Sequence, residues 1–353
     1  MAASSTKILT GSCHCRKVQF TLNVPTEALP LKIHLCHCTI CRYSYGTLCC
    51  FHAPLPAGVQ PQFIAPSSLD QMTSYTHPSF RSLKWSCSHC GCHIGDQGIE
   101  DGGWTISSAI FDVNRDDPEI WKFNSHMCPS STPDGGLSAV FSTVDGHRLE
   151  MNDLGEPAPS TTAPAVSSLP RRDENDKLLA QCHCGGVSFT ISRPRDDFLA
   201  SPHSKGWVSS IDPKRWLACL DLCDDCRLVS GGNVLAWMFV PKDHISPPMP
   251  PDLMIGSSKG YQSTDDVLRT FCGTCGATVF YYCEARPGIV DVAVGLLRAP
   301  EGAMAEQWAV WRAGRPSWPE NGLRYHAGFS RALIEGMKKW GAERGHAQDF
   351  VIP

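Results

Sequence analysis

A set of cysteine motifs occurs twice along the chain, and this duplication limits the possible fold more than any other feature. The segment GSCHCRKVQF at 11–20 returns as AQCHCGGVSF at 180–189. The segment CSHCG at 87–91 returns as CGTCG at 272–276. A repeat of this length predicts two domains of one fold, arranged in tandem.

The segment between the copies is rich in Pro, Ser and Thr, and such a composition cannot bury enough apolar surface to order itself. We therefore predict a disordered linker at residues 153–177, between a first domain at 1–152 and a second at 178–329. Residues 330–353 are predicted to form a C-terminal helix and tail, since Leu333, Met337 and Trp340 recur at helical spacing.

Short runs of alternating apolar and polar residues predict strands, for example at 18–22 and at 187–191. The chain has 30 Gly and 27 Pro, which punctuate these runs and favour turns over long helices. The expected fold class is mainly β. The second copy is longer near 202–214, which we expect to be a surface loop.

Two pairs of cysteines in each copy have the spacing of a closed tetrahedral zinc site. Such a site joins distant parts of a small β fold. We expect one structural zinc in each copy, held by Cys13, Cys15, Cys87 and Cys90 in the first and by Cys182, Cys184, Cys272 and Cys275 in the second.

A third cysteine group in the first copy offers three thiols within six residues: Cys36, Cys38 and Cys41. Three protein ligands leave one position of a tetrahedral zinc open, as in catalytic sites. A thiol-bearing substrate or a water could take that position. The alternative is that these cysteines are inert and buried, as free cysteines often are.

The second copy departs from this pattern, because Asp221 stands where the first copy has Cys36. Cys223 and Cys226 are kept, and Cys219 lies two residues before Asp221. Cys219 or Asp221 could complete a second open zinc site with the two kept cysteines, or this copy could have lost its metal. The sequence thus predicts two structural zinc ions and one open one, with a fourth left undecided.

Residues beside the open group have more than one interpretation. Arg42 follows the last ligand, where its guanidinium could offset the charge of three thiolates, or it could be a solvated surface residue. His14 and His37 are expected to face outward, although His37 could carry protons near pH 7. The remaining cysteines lack partners at metal spacing and are expected in the core: Cys49, Cys50, Cys92, Cys128 and Cys283.

The overall composition excludes some classes of function. The formal net charge is −4, so no basic surface argues for binding to nucleic acid. No apolar run approaches the roughly 18 residues of a membrane span, and the first residues do not resemble a signal peptide. We expect a location in the cytoplasm, with the nucleus left open, where 19 cysteines serve better as metal ligands than as disulfides.

Taken together, the motifs G-S-C-H-C-x-x-V-x-F, C-H-C-x-x-C-R and C-x-x-C-G resemble the glutathione-dependent formaldehyde-activating enzyme family, also called the centromere-protein-V or GFA domain. The resemblance covers both copies and implies two tandem Mss4-like zinc-binding β domains, similar to proteins of filamentous fungi. It implies a structural zinc at the first two motif pairs and a catalytic-type zinc at Cys36, Cys38 and Cys41. In the second copy only Cys223 and Cys226 match the catalytic set.

The family resemblance also implies an activity, the joining of formaldehyde to glutathione as S-hydroxymethylglutathione, a carbon–sulfur lyase reaction. The expected partners are a small thiol such as glutathione and a small electrophile, with neither nucleic acid nor membrane. Two other hypotheses stay open: a zinc-stabilised protein-interaction module, and a metal buffer or redox thiol protein. From the duplication we further expect the two copies to pack together as a pseudo-dimer within one chain.

Overall fold

The structure is a computed structural model, and it describes residues 5–78, 80–112, 119–153, 176–204, 206–347 and 349–352. Residues 154–175, which make up most of the predicted linker, lie outside the described residues. We refer to residues 5–153 as the first unit and to residues 176–352 as the second unit.

The first unit contains thirteen described strands and one α-helix. The strands are β1 (Thr6–Ser12), β2 (Gln19–Pro25), β3 (Leu31–Cys36), β4 (Cys50–Pro54), β5 (Gln62–Phe63), β6 (Met72–Tyr75), β7 (Ser82–Cys87), β8 (His93–Gly98), β9 (Trp104–Ser107), β10 (Trp121–Met127), β11 (Thr143–Val144), β12 (His147–Arg148) and β13 (Glu150–Asn152). The helix is α1 (Thr39–Tyr45).

The second unit contains ten described strands and four α-helices. The strands are β14 (Lys177–Gln181), β15 (Ser188–Ser192), β16 (Trp216–Asp221), β17 (Leu235–Pro241), β18 (Ile245–Ser246), β19 (Ser258–Thr264), β20 (Val267–Cys272), β21 (Thr278–Cys283), β22 (Ile289–Ala293) and β23 (Ala309–Trp311). The helices are α2 (Asp196–Ala200), α3 (Asp224–Ser230), α4 (Pro319–Tyr325) and α5 (Ala327–Arg344).

The two units share one sheet topology, so the prediction of a mainly β fold is confirmed. In the first unit the large sheet has the order β13-β10-β3-β4-β9-β8-β7-β6, and a small sheet has the order β1-β2-β5. In the second unit the orders are β19-β20-β21-β22-β17-β16-β23 and β14-β15-β18. Apart from β13, each strand of one large sheet has a counterpart at the same place in the other.

Alternation along the strands explains the packing of the small sheets. In β2, Phe20, Leu22 and Val24 are fully buried while the residues between them are less so. Successive side chains of a strand point to opposite faces, so one face reaches the core and the other stays near solvent. The β1–β2 hairpin and its counterpart β14–β15 both close at a C-x-C motif. The hairpins therefore carry half of each predicted structural zinc site.

The two units exchange equivalent contacts across their boundary. The amide of His14 donates to the carbonyl of Leu228, and the equivalent amide of His183 donates to that of Tyr43. Each of these histidines also contacts a tyrosine of the other unit: His14 Nδ1 lies 2.7 Å from Tyr261 Oη, and His183 Nδ1 lies 2.7 Å from Tyr75 Oη. Reciprocal contacts of this kind define a two-fold interface, and the hydrophobic core is continuous across it.

Helix α5 corresponds to the predicted C-terminal helix, but the sequence does not indicate which surface it packs against. Phe329 stacks on Phe123 with 5.1 Å between ring centroids and meets Phe51 edge-on at 5.4 Å, so the helix lies against the first unit. Its Met337 and Trp340 are buried as well. The helix is part of the joint core, because its apolar face covers residues of the other unit. No described helix is long and apolar enough to cross a membrane.

The longer segment of the second unit is not a simple surface loop. Trp207 lies within it and is only 7 % exposed. Its ring lies 5.8 Å from that of Phe239 in β17. The expectation of a surface loop therefore needs correction: an indole of this size is more stable packed on the sheet than in water.

Candidate metal centres

The four cysteines of each predicted structural site come together. In the first unit Cys15 Sγ lies 3.5 Å from Cys13 Sγ and 3.6 Å from Cys87 Sγ, and Cys90 belongs to the same group. In the second unit the sulfurs of Cys182, Cys184, Cys272 and Cys275 converge in the same way, with two separations of 3.5 Å. Sulfurs on a tetrahedral zinc with bonds near 2.3 Å are about 3.8 Å apart, so these groups fit the ion.

Local backbone geometry supports both closed sites. Gly91 follows the second cysteine pair with φ of +79°, and Gly276 does the same in the second unit with φ of +81°. Each donates its amide to the carbonyl of the first cysteine of the pair, 3.0 Å away at Cys87 and 2.9 Å away at Cys272. This left-handed turn is accessible to glycine at little cost and folds the two thiols toward one point.

Crowding of the thiols shifts their pKa values in opposite directions. Contact with the Cys15 thiol raises the pKa of Cys13, while contact with the Cys13 thiol lowers the pKa of Cys87. When thiols lie this close, it is unfavourable for all of them to remain protonated. A metal ion that replaces the protons removes this unfavourable interaction.

The open group of the first unit is built around the start of α1. Cys36 ends β3, Cys38 is the N-terminal cap of α1, and Cys41 lies in its first turn. The sulfurs of Cys36 and Cys38 are 3.5 Å apart, and the amide of Cys41 donates to Cys38 Sγ at 3.4 Å. A helix N-terminus favours negative charge, so this position suits thiolates. Cys38 and Cys41 are each 7 % exposed, so little of these two thiol side chains is accessible to solvent.

A buried ion pair adjoins this group, and sequence reasoning missed it. Lys84 Nζ lies 3.8 Å from Cys41 Sγ and 2.8 Å from Asp96 Oδ2. Tyr45 Oη donates to the other oxygen of Asp96 at 3.0 Å. Burial would lower the pKa of Lys84, but the charges of Asp96 and Cys41 raise it well above its usual range. Lys84 is therefore a permanent positive charge beside the thiols.

Two cysteines assigned to the core also adjoin the open group. Cys50 forms a second possible ligand set with Cys41 and His52. Contact with Cys128 is the largest cause that raises the pKa of Cys36. The expectation of ordinary core cysteines is thus correct about burial but overlooks the proximity to the thiols, because strands β4 and β10 flank β3 only in the folded sheet.

Arg42 and its counterpart Arg227 are directed to the boundary between the units. Arg42 Nη2 donates to Tyr43 Oη at 2.7 Å and its Nη1 donates to the carbonyl of Leu297. Arg227 donates to the carbonyl of Ala109 in the first unit. Both side chains are buried, so neither is a solvated surface residue. Among the described residues, Lys84 is the cation that contacts a thiol of the open group.

His37 is buried and His14 is half-buried at the boundary between the units, whereas both were expected to face outward. His37 is fully buried, with Nε2 2.8 Å from Nδ1 of His126. Burial lowers the pKa of His37 to about 3, so it stays neutral near pH 7 and cannot exchange protons there. His14 lies at the boundary between units, with Nε2 3.2 Å from Asp225. The folded sheets cover these residues, which local spacing does not reveal.

The corresponding group of the second unit contains Asp221, Cys223 and Cys226. Asp221 Oδ1 accepts the amide of Cys223 at 2.8 Å, and its Oδ2 lies 3.5 Å from Cys226 Sγ. Cys219 does not join this group among the described residues; its sulfur lies 3.5 Å from Ser317 Oγ. The aspartate thus occupies the place of Cys36, and its hard oxygen donor can still bind zinc.

Arg269 is the counterpart of Lys84. Its Nη1 lies 3.4 Å from Cys226 Sγ, as Lys84 lies beside Cys41. Arg269 stands 185 residues after Lys84, which is the offset of the cysteine motifs. A cation at the same place in both copies is the signal that sequence comparison of the copies could have used to find this pair.

A cavity of about 790 Å³ opens onto the group of the second unit. Its lining combines Asp221, Cys223 and Cys226 with aromatic and charged side chains, among them Trp237, Arg269, Tyr281, Arg286, Asp291, Arg312 and Phe350. Arg286 makes a bidentate pair with Asp291 at 3.1 and 3.0 Å. Burial raises the pKa of Asp291 to about 6, although Arg286 opposes the shift. A cavity of this size is within the range of small-molecule sites.

Comparison with known families gives one result. The model of the family described as "Glutathione-dependent formaldehyde-activating enzyme" matches residues 8–126 and 208–313, one region in each unit. The second region begins after Cys182 and Cys184, which the longer segment of that unit separates from the remaining motifs. Comparison of the chain with curated proteins found no match.

Proposed function

The chain belongs to the glutathione-dependent formaldehyde-activating enzyme family, and from that premise we propose that it is a zinc-dependent enzyme of the carbon–sulfur lyase type. Its substrates in this proposal are thiol adducts of small aldehydes or other electrophiles, with glutathione as the candidate thiol. The forward reaction forms S-hydroxymethylglutathione or an analogous adduct.

One observation carries the proposal: each unit gathers three ligand atoms at the start of a short helix and sets a cation against the last sulfur. The pairs are Lys84 with Cys41 at 3.8 Å and Arg269 with Cys226 at 3.4 Å. Three protein ligands leave a coordination position for a substrate, whereas the four-cysteine groups leave none. A buried cation at the same place in both copies supports chemistry on an anion, because it offsets charge that the ligands concentrate there.

The chemistry needs a thiolate and a polarised carbonyl. Zinc, when held by either three-ligand group, supplies a site that lowers the pKa of a bound thiol and draws electrons from a carbonyl. In the reaction the thiolate sulfur bonds to the carbonyl carbon, the carbon–oxygen π bond breaks, and the oxygen takes a proton. The reverse reaction breaks the carbon–sulfur bond and releases the thiolate.

Backbone amides of the chain contribute to the charged form of two of the ligands. The amide of Cys41 donates to Cys38 Sγ, and the amide of Cys226 donates to Cys223 Sγ at 3.1 Å. Hydrogen bonds from backbone amides stabilise thiolates over thiols. The closed four-cysteine groups lie on other strands and have a supporting role, since they hold hairpin and sheet together in each unit.

The test is an adduct assay with formaldehyde and glutathione, corrected for the spontaneous reaction. Wild type is compared with Cys38→Ser, Cys223→Ser and the double variant, each with its zinc content measured. Cys49→Ser is the matched control, because Cys49 is buried but belongs to none of the described ligand groups. We expect the catalysed rate of the double variant to be at least 100-fold lower than that of wild type. The control should keep the wild-type rate.

Equal rates in wild type and double variant, with every thiol and aldehyde tested, would contradict the enzyme proposal. A zinc-stabilised interaction module would then be the better description, with the same folded structure and a copurifying partner as its signature.

A further inference from the structure

We propose that the first unit binds two metal ions rather than one, and that the thiolate of Cys41 bridges them. One ion is held by the open group of Cys36, Cys38 and Cys41, as in the proposed function. The other is held by Cys41, Cys50 and His52 and forms a separate metal site. Zinc is the expected ion at both, since thiolate and imidazole together are usual ligands of zinc in proteins. The second ion goes beyond the proposed function, which needs only the first.

The two ligand sets share a thiol, which allows both ions to be bound at once. In each set the three ligand atoms lie within 4.8 Å of one another, and Cys41 belongs to both. A thiolate sulfur that is bonded to its own β-carbon keeps three lone pairs. Two of these can bind metal ions while the third accepts a hydrogen bond from Lys84, whose Nζ lies 3.8 Å away. Five side chains can therefore supply three ligands to each of two neighbouring ions.

The fold places the second set beside the first. Cys50 begins β4 and pairs with Cys36 at the end of β3, so the two thiols lie on neighbouring strands. His52 follows two residues later and points to the same face of β4 as Cys50. Phe51 lies between them on the opposite face, where it packs in the hydrophobic core. The thiol and the imidazole of β4 thus face the first turn of α1, which contains Cys41.

Hydrogen bonds around His52 orient its ring as a ligand. Its Nε2 lies 3.2 Å from Tyr45 Oη, and Tyr45 donates its own proton to Asp96 at 3.0 Å. Because Tyr45 Oη can then accept a hydrogen bond, the proton of His52 is assigned to Nε2, and the lone pair of Nδ1 is left for a metal ion. Metal-bound histidines show this arrangement, in which another polar group holds the second ring nitrogen. Lys84 completes the chain of contacts through its ion pair with Asp96.

The charges of the group favour two ions over one. One divalent ion on the three thiolates of the open group leaves one negative charge. A second ion adds two positive charges and the thiolate of Cys50 adds one negative charge, so the cluster becomes neutral. Lys84 and Asp96 beside it pair with each other, and Arg42 donates to groups at the boundary between the units instead. Burying a neutral cluster costs less than burying a charged one.

The second unit has apolar residues in place of the additional ligands. Leu235 occupies the place of Cys50, since each pairs with the residue that ends the preceding strand. Trp237 occupies the place of His52, two residues later. Apolar side chains at both places complete the same sheet, so packing alone does not account for a thiol and an imidazole there. A metal ion that only the first unit binds does account for them.

The first experiment counts zinc in the full chain by elemental analysis, after loading with zinc and removal of unbound ions. We expect Cys50→Ala to lose one ion per chain and Cys41→Ser to lose two. His52→Gln should also lose one ion. His34→Gln should lose none, since His34 pairs with His52 on the neighbouring strand but belongs to none of the described ligand groups. Cys49→Ser is the matched thiol control and should keep the full count.

The second experiment tests the shared sulfur directly and needs only wild type and one variant. The full chain is loaded with ¹¹³Cd²⁺, which binds to the same kinds of ligand as zinc, and its ¹¹³Cd NMR spectrum is recorded. Two cadmium ions that share a sulfur show scalar coupling to each other. We therefore expect one pair of mutually coupled resonances in wild type and no such pair in Cys50→Ala.

A wild-type spectrum without a coupled pair, or a Cys50→Ala variant with the zinc content of wild type, would refute the bridged site. Equal zinc content in His52→Gln and His34→Gln would refute the imidazole ligand. Neither experiment depends on catalysis. Failure of the adduct assay would thus leave this inference standing, and failure of both experiments here would leave the proposed function standing.

Discussion

Gly46, at the end of α1, packs directly against the backbone carbonyl of Thr278, at the start of β21 in the other unit. A β-carbon at Gly46 would overlap with that carbonyl. The equivalent residue Gly231 makes the same contact with the carbonyl of His93. Since the contact occurs twice, once in each direction, it is a reciprocal close approach of the two backbones.

We predict that Gly46→Ala and Gly231→Ala each lower the free energy of unfolding by roughly 2–5 kcal/mol, because backbone overlap adds to the strain of a positive φ. Gly58→Ala is the matched control, with φ of +80° and open space around it, so it reports the strain alone. We expect that control to cost about 1–2 kcal/mol. Urea unfolding measures the free energy of unfolding of all three variants. If Gly46→Ala and Gly231→Ala lose no more stability than Gly58→Ala, the contact between the units is loose.

The four-cysteine groups are predicted to hold zinc that stabilises each unit. Cys90→Ser and Cys275→Ser should each reduce the zinc content by one ion per chain and lower the free energy of unfolding by about 3 kcal/mol or more, because binding of a structural metal contributes to folding directly. Elemental analysis measures the zinc content and thermal unfolding measures the loss of stability, with Cys49→Ser as the control. Unchanged zinc content in both variants would refute the assignment.

The pair of Lys84 and Asp96 is predicted to be required as a pair. Lys84→Met leaves the Asp96 carboxylate buried without its partner and should cost about 3–5 kcal/mol. The double variant Lys84→Met, Asp96→Asn should recover part of that loss. Lys339→Met is the control, since its pair with Glu343 is exposed and should contribute about 0.5 kcal/mol or less. If Lys84→Met and the control cost the same, the buried cation has no structural role.

Buried neutral histidine is predicted to weaken the protein in acid. His93 is fully buried and stacked on Tyr45 at 3.6 Å, and burial lowers its pKa to about 3. In the unfolded chain this histidine binds a proton below about pH 6.5, whereas in the folded protein it stays neutral down to about pH 3. The free energy of unfolding therefore falls as the pH falls from about 6.5 to about 3. At pH 5 the loss from His93 is about 2 kcal/mol relative to pH 7.5.

The measurement compares urea unfolding of wild type and His93→Phe at both pH values. The variant shifts stability at both, since phenylalanine is larger, but its decrease between pH 7.5 and pH 5 should be smaller by about 2 kcal/mol. Loss of zinc in acid affects the two proteins alike and cancels in the difference. Identical pH dependence would show that His93 is protonated in the folded state.

The sequence determined the features that depend on local spacing or on repetition. Cysteine pairs two or three residues apart can reach one ion whatever surrounds them, so Cys13 with Cys15 and Cys87 with Cys90 could be grouped at once. Alternation predicts strands such as β2 and β15 because a strand has two faces. Duplication of the motifs predicts two copies of one topology, and the matching strand orders follow from it.

Only the tertiary structure decided which side chains surround the open groups. Lys84, Asp96 and Cys128 reach the first group from strands that are distant in sequence, and Arg42 turns away to the boundary between units. Position in a sheet is set by pairing over long separations, which local patterns do not encode. The cavity at Asp221 likewise lies beside the end of β23 at Trp311, and Ser317, which pairs with Asp221, lines it.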